Sequence, residues 1–209
     1  MRITFGGLKG GISKSTSAVH IAIGLAARGE RVLLVDADPQ AATVLDWSTS
    51  AGDSWPDAIV VVPWPVSDLA KKVSAIAGDF DSIIIDTGGE SDTLLAQALL
   101  VTDELVIPSG TTLAEIRRLP ATFQLAANIE LMKQTPLSAR ILLTKVRAGT
   151  RSSADARQLL ESEGFPIMEA EIPLRERYSQ AFGTVPPNIG EYRAALDELL
   201  AQDEAEVPA

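Results

Sequence analysis

The stretch FGGLKGGISKSTSAVHIAIGLA, residues 5–26, decides how the rest of the chain is read. It follows a short β-branched run at Arg2–Phe5, passes through a glycine-rich turn, and opens a helix-period segment over Lys14–Ala27. A strand, a glycine turn and a helix start, in that order, form an anion site. The unpaired N–H groups of the first helical turn and the helix dipole both face the loop. Lys14 can reach the β- and γ-phosphates of a nucleotide, and the Ser15 hydroxyl can ligate Mg²⁺. The common pattern G-x-x-x-x-G-K-[ST] is not met, because Leu8 stands at its first glycine and Ser13 at its second. What is met is K-G-G-x-x-K-[ST], with a second lysine, Lys9, at the front of the loop. The candidate nucleotide-binding residues here are Lys9, Gly10, Gly11, Ile12, Ser13, Lys14, Ser15 and Thr16. If position 13 needs φ > 0, serine costs roughly 1 kcal/mol or somewhat more there.

Outward from this loop, short apolar runs alternate with helix-period stretches. Arg2–Phe5, Arg31–Val35, Ala58–Val62, Ser82–Ile85, Glu104–Ile107, Arg140–Leu143 and Pro166–Ile172 read as strands. Several are continuously apolar, as parallel strands covered on both faces are. Helices are expected over Lys14–Ala27, Ala41–Ser50, Val66–Ala77, Ser91–Leu100, Thr111–Lys133, Ser152–Glu163 and Ile189–Gln202, with Pro120 kinking or breaking the fifth. This alternation predicts an α/β fold: a doubly wound, mainly parallel sheet with helices on both faces. No repeat or linker divides the chain, so one domain over residues 1–203 is expected, with a flexible acidic tail at 204–209.

Two carboxylate stations follow. The second strand ends in LLVDADPQAAT, which puts Asp36 and Asp38 at the carboxyl end of a parallel strand, where such sheets bind ligands. A plain strand-ending turn is the other reading of DADP taken alone. The run FDSIIIDTGGE is a buried strand ending in Asp86, a position from which P-loop enzymes hold Mg²⁺ through water. Thr87, Gly88 and Gly89 then give a mobile turn. The candidate metal residues are Ser15, Asp38 and Asp86.

With these motifs in place, the chain resembles the deviant Walker A ATPases, the family of ParA, MinD and nitrogenase iron protein, whose loop is K-G-G-x-G-K-[ST]. The resemblance implies ATP and Mg²⁺ as cofactors and a front lysine that crosses a dimer interface to the partner's phosphates, a role that falls on Lys9. It implies that Asp38 positions or activates the attacking water, that Asp36 supports the metal shell or the loop, and that Gln40 helps the partner interface. Lys9, Lys14 and Asp38 are thus the candidate catalytic residues. ILLTKV and AEIPLRERYSQAFGTVPP lie where the family contacts adenine, which adds Thr144, Lys145 and Pro173, although ordinary strand ends explain these segments equally well.

Composition narrows the choice within the family. The chain of 209 residues has no cysteine, which excludes the iron–sulfur members as well as disulfides and thiolate chemistry. Its end is acidic, unlike the basic amphipathic helix of MinD-type proteins, and no apolar run approaches the roughly 20 residues of a membrane span. Two tyrosines are too few for the tyrosine-kinase branch, and the length is too short for the duplicated arsenite-pump ATPases. What remains is the ParA-type partition ATPase in its short form, without an N-terminal DNA-reading domain. Its expected place is the cytoplasm, associated with the nucleoid. That branch implies a homodimer with ATP, non-specific DNA binding, and hydrolysis stimulated by a centromere-binding adaptor, with no membrane partner. Lys145, Arg147, Arg151, Arg157, Arg175 and Arg177 are the candidate DNA contacts, against solvated surface or local ion pairing for each. The net charge of −10 opposes such binding unless these converge. A nucleotide-gated scaffold for a protein cargo is the alternative function. His20 is expected to pack within its helix, and Trp47, Trp55 and Trp64 to cover the core edge or a partner site.

Overall fold

The computed structural model describes residues 1–8, 11, 13–89, 91–133, 135–147 and 149–206. The seven expected strands form one sheet: β1 (Arg2–Phe5), β2 (Val32–Ala37), β3 (Ile59–Pro63), β4 (Ser82–Thr87), β5 (Glu104–Ser109), β6 (Ser138–Val146) and β7 (Ile167–Pro173). Their order is β3-β2-β4-β1-β5-β6-β7, and every pairing is parallel.

The helices are α1 (Lys14–Ala26), α2 (Thr43–Ala51), α3 (Leu69–Ile76), α4 (Asp92–Leu99), α5 (Leu113–Ile116), α6 (Leu119–Glu130), α7 (Arg151–Ser162), α8 (Glu176–Ser179) and α9 (Tyr192–Glu206). The helix expected over Thr111–Lys133, with a kink or break at Pro120, is broken into two. A capping box between Thr112 and Glu115 starts α5, and Pro120 sits in the first turn of α6, where its missing N–H costs nothing. Helix α8 and the short 3-10 turns at Gly52–Ser54 and Ala77–Asp79 were not expected. Helix α9 runs through Glu206, beyond the expected end of the folded part; residues 207–209 lie outside the described residues.

Strand alternation sorts the core into two faces. Val32, Leu34 and Ile84 join Ile3 and Phe5 in a cluster under α1, α2 and α9. On the opposite face, Leu33, Val35, Ile83 and Ile85 pack on α3, while Leu105, Ile107, Ile141 and Leu143 pack on α4 to α7. The sheet is therefore buried on both sides, which is why its strands read as nearly unbroken apolar runs.

The edge strand β3 is guarded. The Trp55 indole N–H donates to the Ile59 carbonyl at 3.2 Å, the Ile59 N–H bonds the Pro56 carbonyl at 2.9 Å, and Pro63 has no N–H to offer. The chain leaves β1 toward β2 on one side and leaves β4 toward β5 on the other. That reversal opens a crevice at the carboxyl ends of the central strands, the usual ligand position in such sheets.

Candidate nucleotide site

Sheet register builds the site. Asp86 on β4 lies in register with Phe5 on β1 and with Asp36 on β2, so the start of the glycine loop and two carboxylates share one row at the carboxyl edge. The loop then turns into α1. Gly11 has φ +75°, and Ser13, the N-cap of α1, has φ +68° and ψ +23°. The left-handed conformation at position 13 is thus present, with serine where it favours glycine. Lys9, Gly10 and Ile12 lie outside the described residues.

Lys14 is buried, and burial lowers its pKa, opposed by the charges of Asp86 and Asp38. Asp86 is fully buried, and neither of its oxygens has a hydrogen-bond partner of good geometry among the described residues. Burial pushes its carboxyl up to about 7. The Ser15 hydroxyl and the Lys14 ammonium oppose the shift, while Asp36 and Asp38 reinforce it. A buried carboxylate without good hydrogen bonds, next to a cation and a hydroxyl, has the chemistry to take part in holding a cation.

The two aspartates of β2 divide their work. Asp36, 1% exposed, accepts from the N–H groups of Val44 at 2.9 Å and Leu45 at 3.0 Å through one oxygen, and from Asp38 at 3.2 Å through the other. It ties the start of α2 to the turn at Asp38. Burial still pushes its pKa up, with those three N–H groups pulling against the shift. Asp38 is half-buried and accepts from Gln40 at 2.9 Å and Ala41 at 3.3 Å, while Gln40 itself is exposed. Asp38 also lies against Gly88, where an added Cβ would stand 2.9 Å from its Oδ1. Glycine at 88 is what lets the Asp38 carboxylate approach the turn after Asp86.

A cavity of about 510 Å³ opens over this row. Among its lining residues are Gly11, Ser13, Lys14, Ser15, Thr16, Asp38, Lys145 and Pro173, all expected from the sequence. Thr144 does not line it. That residue is buried, its hydroxyl near the Ser109 carbonyl at 3.4 Å. The lining also includes Arg175 and four aromatic residues, Trp47, Tyr178, Phe182 and Tyr192, of which Tyr178 and Phe182 belong to the segment expected near adenine. His20 stacks on Tyr192 at 4.7 Å and meets Tyr178 and Trp47 edge-on, and its Nδ1 donates to the Thr16 carbonyl at 2.7 Å. Trp47 is 2% exposed and its indole N–H bonds the Thr184 carbonyl, so it packs in the core at the margin of the cavity.

The donor set fits a nucleotide with Mg²⁺. Ser15 and Asp86 would hold the ion, which when bound neutralises phosphate charge. Among the described residues no three acidic or histidine side chains form a metal cage, and Mg²⁺ normally needs only one or two protein oxygens beside phosphates and water.

Comparison with known proteins agrees with this geometry. The model of the CobQ/CobB/MinD/ParA nucleotide-binding domain matches residues 3–185. The chain belongs to that family. Within the family it is similar to the Maintenance of carboxysome distribution protein A of Gloeobacter kilaueensis, 32% identical over 182 residues covering 83% of this chain and 76% of that protein. A plasmid partition protein of Borrelia burgdorferi bound to AMPPNP shares the fold at TM-score 0.75 and 20% identity, with 96% of this chain and 98% of that one covered. So does cobyrinic acid a,c-diamide synthase of Mycobacterium smegmatis with bound ADP and magnesium, at TM-score 0.80 and 20% identity, with 99% and 96% covered. As a CobQ/CobB/MinD/ParA member, the chain is a nucleotide-binding protein on a P-loop fold. None of its helices, among the described residues, is long and apolar enough to cross a membrane.

Of the candidate DNA contacts, Arg157 is paired with Glu171 at 2.8 Å and with Glu161 at 3.8 Å. Arg175 and Arg177 both lie on Glu191. Arg147 is exposed, and the side chain of Arg151 lies outside the described residues. The six are therefore not equivalent: three are locally neutralised.

Proposed function

We propose that this chain is a Mg²⁺-dependent ATPase that partitions or positions a cargo, a single catalytic unit over residues 1–203 that dimerises on ATP. It associates with DNA non-specifically at the nucleoid and hydrolyses ATP when a centromere-binding adaptor stimulates it. The observation that carries the nucleotide half is the buried Asp86 carboxylate, left without good hydrogen bonds beside Lys14 and Ser15. In this reading Lys14 neutralises the β- and γ-phosphates, Ser15 and Asp86 hold the ion, and Lys9 reaches the partner's nucleotide. Asp38 orients the attacking water. Thr16, Lys145 and Pro173 line the nucleotide, with Gly10, Gly11 and Ile12 supplying loop N–H groups.

The partition half draws on the names of relatives, one a plasmid partition protein and one a carboxysome distribution protein. The second of these also favours another reading, a nucleotide-gated scaffold for a protein cargo, as does the pairing of three candidate arginines with carboxylates. A DNA titration with ATP, with ADP and without nucleotide separates the two. Binding that appears only with ATP supports the DNA reading; no binding in any state favours the scaffold. For the chemistry, Asp38→Ala should bind ATP near the parental affinity and turn it over at least tenfold more slowly, because an interaction made with the attacking water acts in the transition state. Parental turnover in that variant would remove Asp38 from the mechanism.

A further inference from the structure

Away from the loop, the nucleotide cavity changes character. Two of the five large apolar side chains that the described residues leave at least half exposed, Leu174 and Phe182, stand on its wall. Phe182 is also held in place, with its ring centroid 5.7 Å from that of the buried Trp47. The residues after it are fixed on α2: the Trp47 indole N–H bonds the Thr184 carbonyl at 2.7 Å, and a Cβ added at Gly183, φ +74°, would stand 3.0 Å from the Ser50 Cβ. An aromatic ring backed by a buried indole and half open on a cavity wall is a stacking surface. The polar atoms around it are already engaged. The Tyr192 hydroxyl bonds Ser17 at 3.1 Å, the Tyr178 hydroxyl is shared between the side chain and the N–H of Glu191, and the Ser179 hydroxyl donates to the Glu176 carbonyl at 2.8 Å. Among the described lining residues the only side-chain carboxylate is Asp38, at the phosphate row, and there is no Gln or Asn.

We propose that the base is held by stacking on Phe182 and that its edge is not read, so the substrate class is purine nucleoside triphosphates, with guanine accepted almost as well as adenine. This rests on the nucleotide reading above and deepens it. Phosphates at Lys14 and Ser15 leave the aromatic end of the cavity to the base. Telling the purines apart there takes a fixed acceptor, for the 6-amino group of adenine or for the N1–H and 2-amino group of guanine. Lys145 and Arg175 carry donors and no acceptor, and their N–H groups suit N7, an acceptor that both purines share. The Thr16 and Thr43 hydroxyls donate or accept as required, so they serve either edge. Stacking is itself tolerant, because every base has a π-face. A site built to hydrogen-bond a substrate group rejects an analogue lacking it by roughly 10⁴-fold, and a site that only stacks has no such factor.

The test uses the full chain, without DNA, and calorimetry in Mg²⁺ with three probes: non-hydrolysable analogues of ATP and of GTP, and inorganic triphosphate. In the parent the two analogues should bind within about tenfold of each other. Phe182→Ala should weaken both by about five- to thirtyfold, the range of a lost base–aromatic stack, and should leave inorganic triphosphate within about twofold of the parent. Phe182→Tyr keeps the ring and should hold both analogues within about threefold of the parent. The inorganic triphosphate separates loss of a base contact from damage to the fold. A preference beyond about tenfold for either purine overturns the proposal, because it means that an edge is read. Unchanged analogue affinity in Phe182→Ala overturns it too, as does an equal loss for inorganic triphosphate or a loss in Phe182→Tyr as large as in Phe182→Ala. If the parent binds none of the three probes, the nucleotide reading itself fails, a result distinguishable from each of these.

Discussion

Ser13 shows most plainly what a single side chain does to this site. It caps α1 in a left-handed conformation and offers no side-chain hydrogen bond to the helix, so it carries backbone strain without the usual return of a serine cap. Glycine adopts that conformation freely, at the cost of a more disordered unfolded chain. Ser13→Gly should therefore stabilise the nucleotide-free protein by about 0.5–1 kcal/mol, read as a higher urea midpoint at unchanged slope. Its nucleotide affinity should equal or exceed the parent's. A lower midpoint would mean that serine holds the loop through a contact stronger than the strain.

At the scale of elements, two buried groups on neighbouring elements oppose each other with pH. Burial lowers His20 on α1 from 6.5 to about 4, despite its bond to Thr16, with Arg177 adding to the fall. Its folded pKa is depressed, so the stability it contributes is complete above pH 6.5 and is lost as pH falls through 4. Asp86 on β4 is raised from 3.8 to about 7, so the folded protein holds the extra proton and stability falls as pH rises across that interval. Each is worth a few kcal/mol at full extent, on the order of 1.4 kcal/mol per pKa unit, and they largely cancel. Asp86→Asn should thus be more stable than the parent by about 1–3 kcal/mol at pH 7 in the absence of Mg²⁺ and nucleotide, with the gap closing toward pH 4. In that variant the acid side of the stability profile should expose the His20 loss, and His20→Asn, which can keep the bond to Thr16, should flatten it. Urea midpoints from pH 4 to 7 check both. A variant no more stable than the parent at pH 7 would mean that Asp86 is not held in an unfavourable place.

Much of this architecture was legible in the chain. The seven strands announce themselves because buried parallel strands need apolar residues on both faces, and Lys14, Ser15, Asp38 and Asp86 fall on strand ends and a helix start that the pattern marks. Four-residue α8 carries too few residues to show a period, whereas the break at Arg117–Arg118 lies just before Pro120, the residue that marks it in the sequence. The aromatic part of the wall joins residues 47, 178, 182 and 192, with His20 packed against three of them, a grouping that only the tertiary fold brings together. Asp36 is expected to support the metal shell or the loop; that it accepts from the Asp38 N–H and from the first turn of α2 is something spacing alone does not reveal.

Over the whole molecule, charge sets the terms for any DNA partner. At −10 the chain repels a polyanion at long range, and Arg157, Arg175 and Arg177 already have carboxylate neighbours. A single copy is a poor DNA binder on these terms. Two copies placing weak patches on one duplex gain from bivalency, so affinity should appear with dimerisation on ATP. Because phosphate contacts carry no base information, random duplexes should bind alike, with a log–log salt slope of about −0.9 per phosphate contact and several units in all. Lys9→Ala should abolish this binding while keeping nucleotide affinity within a few-fold. Filter binding across a salt series measures both, and a Lys9 variant that binds DNA as the parent does would take the dimer out of the account.

The binding and turnover effects all depend on a nucleotide sitting over the row formed by Phe5, Asp36 and Asp86. The direct measurement is calorimetric titration of the parent and Lys14→Ala with Mg²⁺ and a non-hydrolysable ATP analogue. The parent should bind one nucleotide per chain. Lys14→Ala should lose at least tenfold in affinity, since a charge-assisted bond to phosphate is worth roughly 1.5–3 kcal/mol and its loss leaves phosphate charge uncompensated in a buried site. Equal affinity in the two proteins would contradict the placement of the phosphates at this loop.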